Sequence, residues 1–484
     1  MKPYPSTRSA ALAAWALGAL LALAARPAEA SQSRHHGTGA NTSGAVSAHA
    51  GPAVVSAAAT PPPASTRDTL AFTPIPADSD TLRVDWVKDE PADHDEQWWG
   101  HHHEDPSDML LPRSPYGDGI LTDRDQWRLG SKQFEEWPEP IGDYNRVDRL
   151  ALGLGYQLHP SDPMAPRFGA RWGYSFGREH SMYGVQLEQP LLRDGWLSLG
   201  GSMSRWTAHP DLQQTSDLEN SLDLLFGRND NRDYFEKEGF GAYLASRLGD
   251  VTTASVHMRN DEYRSLEAKG GITSIFWNSR ELRANPAIDD GQAHTFSVRL
   301  ERLSRRVVRP RAGFYHHLAY ERSGGPTLKG DFDYGRLLGD VRGVMRLSPA
   351  TTLALRMVGG STLDGALPLQ RAFTLGGFDG LRAHPTASRS GDQVALGQLE
   401  YDIDMWRLLP HDLLDGGLQL IAFLDAGQAW SNPSHAWDLG AQHVAVDGGF
   451  GLATEDGQFR LYFAHDLQQP DAPFIVSGRI ERPF

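Results

Sequence analysis

From Tyr144 onward the chain repeats one pattern: segments of roughly ten residues in which every second side chain is apolar and the intervening ones are glycine, serine or charged. RVDRLALGLGYQL (146–158) sets Leu150, Leu152, Leu154, Tyr156 and Leu158 against Arg149, Ala151, Gly153 and Gly155. GWLSLGGSMSRW (195–206) sets Leu197, Leu199 and Met203 against Ser198, Gly200, Ser202 and Ser204, and HTFSVRLERL (294–303) and TTLALRMVGG (351–360) alternate likewise. Successive side chains of a strand point to opposite faces, so a period of two is a strand signal. Such strands, apolar on one face and wet on the other, are what a transmembrane β-barrel needs. A soluble sandwich also alternates, but its inner faces carry bulky residues from two packed sheets. Here the second face is small or charged. The 50 glycines and 10% aromatic residues also suit strands and turns better than a helical core.

Fifteen candidate strands can be read: 146–158, 167–177, 181–190, 195–206, 239–248, 251–263, 293–304, 311–322, 337–347 and 351–360, then 393–404, 416–426, 443–453, 458–466 and 473–484. An antiparallel barrel with both ends on one side of the membrane has an even number. One strand is therefore hidden, at 220–228 or 272–277. The expected fold is all-β, a transmembrane antiparallel β-barrel of about sixteen strands over residues 144–484.

The stretch ahead of the barrel reads differently. Lys2 and Arg8 form a basic start, residues 10–25 an apolar run, and Ala28, Glu29 and Ala30 a small-x-small cleavage site, so 1–30 reads as a secretory signal peptide. The apolar run is short for a bilayer span. Residues 31–80 are Ser, Ala, Gly, Pro and His without period, the composition of a disordered linker. Residues 81–143 form an acidic, Trp-rich, irregular segment. With no cysteine in the chain, neither a disulfide nor a lipid-bearing cysteine is available. The net charge of −15, from 61 acidic and 46 basic residues, argues against nucleic acid as a partner.

Between the tenth and eleventh candidate strands lies AFTLGGFDGLRAHPTASRSGD (372–392), rich in glycine around Arg382. In GLQLIAFLDAGQAW (417–430), alternation sends Leu418, Leu420, Ala422 and Leu424 to lipid and aims Gln419, Ile421, Phe423 and Asp425 inward. A loop made supple by Gly376, Gly377 and Gly380 can fold back and set the Arg382 guanidinium against the Asp425 carboxylate as a two-pronged fork. In a partly hydrated lumen, breaking that pair is expected to cost the lower half of about 3–5 kcal/mol.

FTLGGFDGLRAHP (373–385), followed by LEYDI (399–403) and FLDAG (423–427), resembles the C-terminal barrel of the BamA/TamA outer-membrane assembly family, the bacterial surface-antigen family. The resemblance is firm over 370–484 and weaker over 144–369. It implies a sixteen-stranded barrel in the outer membrane of a Gram-negative cell. It also implies a loop arginine, Arg382, locked on the F-x-D-x-G strand at Phe423, Asp425 and Gly427, with five strands following the loop. Ala383 and His384 stand where that family has glycine and an aromatic, which is expected to loosen the loop tip. The βααββ pattern of its periplasmic, client-receiving POTRA domains is not legible in 31–143. The implied role is insertion or translocation of a polypeptide or lipid; the alternatives are a passive pore or structural barrel and, less favoured, a barrel-borne lipase. Implied partners are outer-membrane lipids, a polypeptide or lipid client, and the barrel assembly machinery, which would read the terminal Phe484.

Other motifs carry less. GYSFG (173–177) matches a nucleophile elbow at Ser175, but an elbow needs a strand-turn-helix setting, and Ser175 lies within an alternating segment. His465–Asp466 is the only support for a lipase. His101, His102 and His103 with His94 suggest solvation rather than a site, since adjacent histidines cannot share one tetrahedral metal. Glu400 and Asp402 point inward by parity, toward Arg299, Arg356 or Arg460. No enzyme, metal or cofactor is expected.

Overall fold

A computed structural model describes residues 139–480 apart from 159–163, 193–195, 249–251, 277–278, 303–312, 406–416, 433–436, 440–442 and 455–458. The 1–30 leader, the 31–80 linker, the 81–143 segment up to 138, the histidines at 94 and 101–103, and Phe484 lie outside the described residues. The strands are β1 (Glu139–Asn145), β2 (Arg149–Leu158), β3 (Arg167–Ser175), β4 (His180–Pro190), β5 (Leu197–Ala208), β6 (Phe235–Arg247), β7 (Thr252–Ser265), β8 (Gly291–Arg302) and β9 (Gly313–Ser323). They continue as β10 (Tyr334–Ser348), β11 (Thr351–Gly365), β12 (Phe373–Leu375), β13 (Arg389–Gly391), β14 (Gln393–Asp404), β15 (Leu418–Trp430), β16 (Ala445–Thr454), β17 (Arg460–Asp466) and β18 (Ile475–Arg479). β12 and β13 pair only with each other; the other sixteen form one antiparallel sheet in chain order.

All fifteen candidate segments contain strands, but the sixteenth lies elsewhere. Residues 220–228 are mostly helical: α1 (Asp217–Leu222) leads into a π-helical turn, Asp223–Gly227. Ser216 caps α1 and Glu219 reaches back to the cap, a reciprocal pair that fixes a helix start. The described part of 272–277 contains no strand either. The sixteenth strand is EPIGDYN, β1, so the sheet begins at Glu139, inside the stretch expected to be irregular. Pro140, Gly142 and Asp143 hide its alternation. Pairing with β2, Asp143 opposite Ala151 and Tyr144 opposite Leu150, holds it in the sheet.

The two faces invert the polarity of a water-soluble protein. Leu150, Leu152, Leu154, Tyr156 and Leu158 are all exposed, as are Leu199, Met203, Leu355 and Met357. Arg167, Glu188, Arg299, Glu301, Asp340 and Arg356 are buried. Burying charge is costly unless it is paired, and the pairs are present: Arg167–Glu188 at 2.9 Å, Arg259–Asp261 at 2.7 Å and Arg356–Asp340 at 2.9 Å. An apolar exterior around a charged interior suits hydrocarbon outside, with each strand between β1 and β18 in the sheet bonded to a neighbour on both sides. Among the described residues no helix is long and apolar enough to cross a membrane.

The sheet is also curled. Laid flat at roughly 4.8 Å per strand, its first and last strands would stand about 70 Å apart. Yet α1, about 9 Å long, touches both: Ser221 bonds Asp143 of β1 at 3.2 Å, and Glu219 lies 3.4 Å from Arg479 of β18. The result is a barrel, with α1 and the segment between β11 and β14 turned into its interior.

Candidate functional site

The segment between β11 and β14 doubles back as a hairpin, with Phe373, Thr374 and Leu375 opposite Gly391, Ser390 and Arg389. Gly376 (φ 116°) and Gly377 (φ 77°) make the turn that follows β12. A Cβ on Gly376 would stand 2.1 Å from the Pro385 carbonyl oxygen, so only glycine fits. Phe373, Leu375 and Leu381 pack with Leu338, Val358, Val394 and Leu396 in a buried apolar cluster. That cluster seats the loop against the wall and presents Arg382 to β14 and β15.

Arg382 makes the two-pronged contact. Its Nε donates to Asp425 Oδ2 at 2.7 Å and its Nη2 to Oδ1 at 2.6 Å. Nη1 donates to Glu400 of β14 in a very short bond. The Phe423 ring lies 3.9 Å from the guanidinium carbon and the Tyr462 ring 4.9 Å. The two side chains are 3% and 0% exposed, so the lumen here is dry, not partly hydrated. Burial opposes the charge on Arg382, but Asp425 and Glu400 more than offset it and raise the guanidinium above its ordinary pKa. Gly427 serves close approach: a Cβ there would meet the Ala395 carbonyl oxygen at 2.9 Å and Leu375 of the loop at 3.3 Å.

The neighbours of Arg382 tie the loop down further. The Ala383 amide donates to Asp447 Oδ2 at 2.7 Å, and His384 Nδ1 lies 3.0 Å from Asp447 Oδ1, with Nε2 3.7 Å from Asp466. At the two positions expected to loosen the tip, a backbone amide and the His384 ring thus contact β16 and β17. Gln398 donates to the Gly380 carbonyl at 2.8 Å, and Arg356 to that of Asp379 at 2.8 Å. The Asp379 carboxylate accepts from the Thr215 amide and hydroxyl at 2.7 and 2.8 Å and from Arg479 at 3.1 Å. Burial alone would raise its pKa; Arg479 and the Thr215 bonds hold it below the usual carboxylate range.

Of the three arginines expected to face the inward carboxylates, Arg460 is the one that meets them. Glu400 and Asp402 both meet Arg460, at 3.1 and 3.0 Å, and Glu400 also meets Arg382. Arg356 goes instead to Asp340. Glu400, Tyr462 and Asp447 were not legible as partners of the loop, nor Thr215 and Arg479 as partners of its Asp379, although parity already turned Glu400 inward. Ser175 ends β3 ahead of a tight turn into another strand, and its hydroxyl accepts from the Arg178 amide. His465 packs on Phe474. Neither stands in an elbow. Among the described residues no group of three or more His, Asp or Glu is arranged to hold a metal.

A chain-ordered, sixteen-stranded antiparallel barrel with an arginine-bearing loop seated on its inner wall defines a class of outer-membrane protein. Residues 167–471 match the Omp85 superfamily domain, more than half of the chain, and the protein belongs to that superfamily. It is therefore a Gram-negative outer-membrane β-barrel. Among solved structures it is similar to BamA from Haemophilus ducreyi lacking POTRA domains 1–3 (12% identity, 70% of this chain and 69% of that one, TM-score 0.46). It is also similar to CdiB from Acinetobacter baumannii (13%, 70% and 57%, TM-score 0.39) and CdiB from Escherichia coli (14%, 70% and 60%, TM-score 0.41). No curated protein matches the sequence.

Proposed function

We propose that the protein moves a polypeptide or a lipid into or across the outer membrane, and that the Arg382 loop is the element that must shift for it to do so. The observation that carries this reading is the buried contact of Arg382 with Asp425 and Glu400, set on a loop rather than on the wall. A barrel needing only rigidity could place both partners on adjacent strands, as Arg356 and Asp340 are placed. A lock on a movable segment instead gives two states. The Arg382 loop and α1, both turned into the barrel and bonded to its wall, weigh against a passive open pore. Outer-membrane lipids are its surroundings, and the assembly machinery that reads terminal aromatics is the partner that would place it there.

Purified protein in planar bilayers tests the reading. The unmodified chain should be closed with brief openings, and Asp425→Ala should lengthen them. A steady open conductance in the unmodified chain would make it a passive pore.

A further inference from the structure

Chain order puts the ends of β1, β3, β5 and β7 on one side of the barrel, where the long loops 209–234 and 266–290 also lie. Long loops mark the extracellular side of such barrels. These two loops meet. The Ile275 amide donates to the Leu225 carbonyl at 2.6 Å, Ser274 Oγ to the Leu224 carbonyl at 2.7 Å, and Arg228 Nη1 to the Ile272 carbonyl at 2.9 Å. So tied, they present Phe226, Ile275 and Phe276, 44%, 57% and 54% exposed, with the two rings 6.4 Å apart. Three large apolar side chains gathered from two loops are not the scattered kind that any surface carries.

The neighbouring wall identifies the occupant. Tyr144 of β1 stands opposite Leu150 of β2, so its side chain lies on the lipid face. Its hydroxyl donates to the Thr273 carbonyl at 2.8 Å and accepts from the Thr273 amide at 2.9 Å. That fastens 272–276 to the outer face of the wall, where exposed Phe176 bonds through its amide to the Leu150 carbonyl. Aromatic residues gather at this level of a bilayer, near its surface. We propose that Phe226, Ile275 and Phe276 form a lipid anchor: they extend the lipid-facing belt past the end of β1, and the acyl chains of the outer leaflet cover them. Along the strands the belt comes from alternation; here two loops supply it. Lys269 and Arg280 are matched by Glu267 and Glu281 in the same loop, so apolar contact rather than headgroup charge holds the patch.

Since the chain lacks cysteine, Phe226→Cys and Phe276→Cys each admit a single fluorescent label. Leu154→Cys serves as the lipid-facing control, and Thr327→Cys, exposed in the loop between β9 and β10, as the water-facing one. Full-length protein would be folded into phosphatidylcholine vesicles with and without bromine on the acyl chains, and folding checked by heat-modified migration. Brominated chains should quench both patch labels as strongly as the label at 154. Aqueous iodide should quench them several-fold less than the label at 327, and added salt should change neither result. Iodide quenching of either patch label at the level of 327 would place the patch in water. Shielding from both quenchers would place it under protein, such as a second copy of the chain. Each of these results would overturn the anchor, as would failure of both patch variants to fold. No client is involved, so failure here leaves the transport reading standing.

Discussion

At the scale of single residues, Arg382 and its two carboxylates make an asymmetric prediction. Removing one partner of a buried pair leaves a charge uncompensated, at about 3–5 kcal/mol. With both side chains dry, the full span applies rather than its lower half. Arg382→Ala takes the guanidinium from two carboxylates, Asp425 and Glu400, and Glu400 then leans on Arg460 and the Tyr462 hydroxyl. Asp425→Ala leaves Arg382 still bonded to Glu400. Proteolysis within the loop and open time in bilayers should therefore rise more in Arg382→Ala than in Asp425→Ala. The double variant should add little to Arg382→Ala, because contacting residues are not additive. Equal single effects, or full additivity, would count against the lock. Gly427→Ala is a second probe: its methyl would press on the Ala395 carbonyl and Leu375. Overpacking of this kind costs about 1–3 kcal/mol, visible as a lower midpoint when unboiled samples are heated before electrophoresis.

At the scale of elements, the α1 segment carries its own pH dependence. Asp223, in the π-helical turn, has its pKa pushed up to about 7, first by burial, then by Glu219 and Asp230, against the Asn231 hydrogen bond and Arg479. A folded-state pKa above the unfolded value of 3.8 means that the packed segment binds a proton the free chain does not. The stabilisation is fully present below about pH 4 and is lost as pH rises through about 7. Exchange protection of residues 217–227 should be higher at acid than at alkaline pH, and Asp223→Asn should flatten the profile. A variant that keeps the wild-type profile would remove Asp223 from the account.

Taken whole, the molecule is an inside-out fold, and its stability should depend on a bilayer or detergent to cover the exposed leucines and aromatics. Detergent-solubilised protein should give β-dominated circular dichroism and migrate differently boiled and unboiled. A strongly helical spectrum would falsify the barrel. The described barrel begins at Glu139, and residues 31–80 carry no apolar periodicity. A chain starting near residue 81 should then still assemble in liposomes; failure of that chain beside a folding full-length control would show that the linker contributes.

What the sequence determined by itself is local. Fifteen strands, their lipid faces, and the inward aim of Asp425 and Glu400 follow from alternation, which each segment displays within its own residues because hydrocarbon on one side imposes it. Gly376 and Gly377 mark a turn for the same reason: the constraint is on their own dihedrals. A supple loop and an inward Asp425 made the pairing with Arg382 feasible, and family resemblance pointed to the same pair, but parity by itself says which face a residue is on and not which residue it meets. Tertiary structure alone decided the rest. EPIGDYN becomes a strand because β2 pairs with it and α1 engages it, and α1 is a helix within a chain of strands because its cap and its lumenal contacts favour one. Glu219 meets Arg479 across 260 residues of sequence. Partners in a lumen are set by which strands the curl brings face to face, and no local period in the chain encodes that.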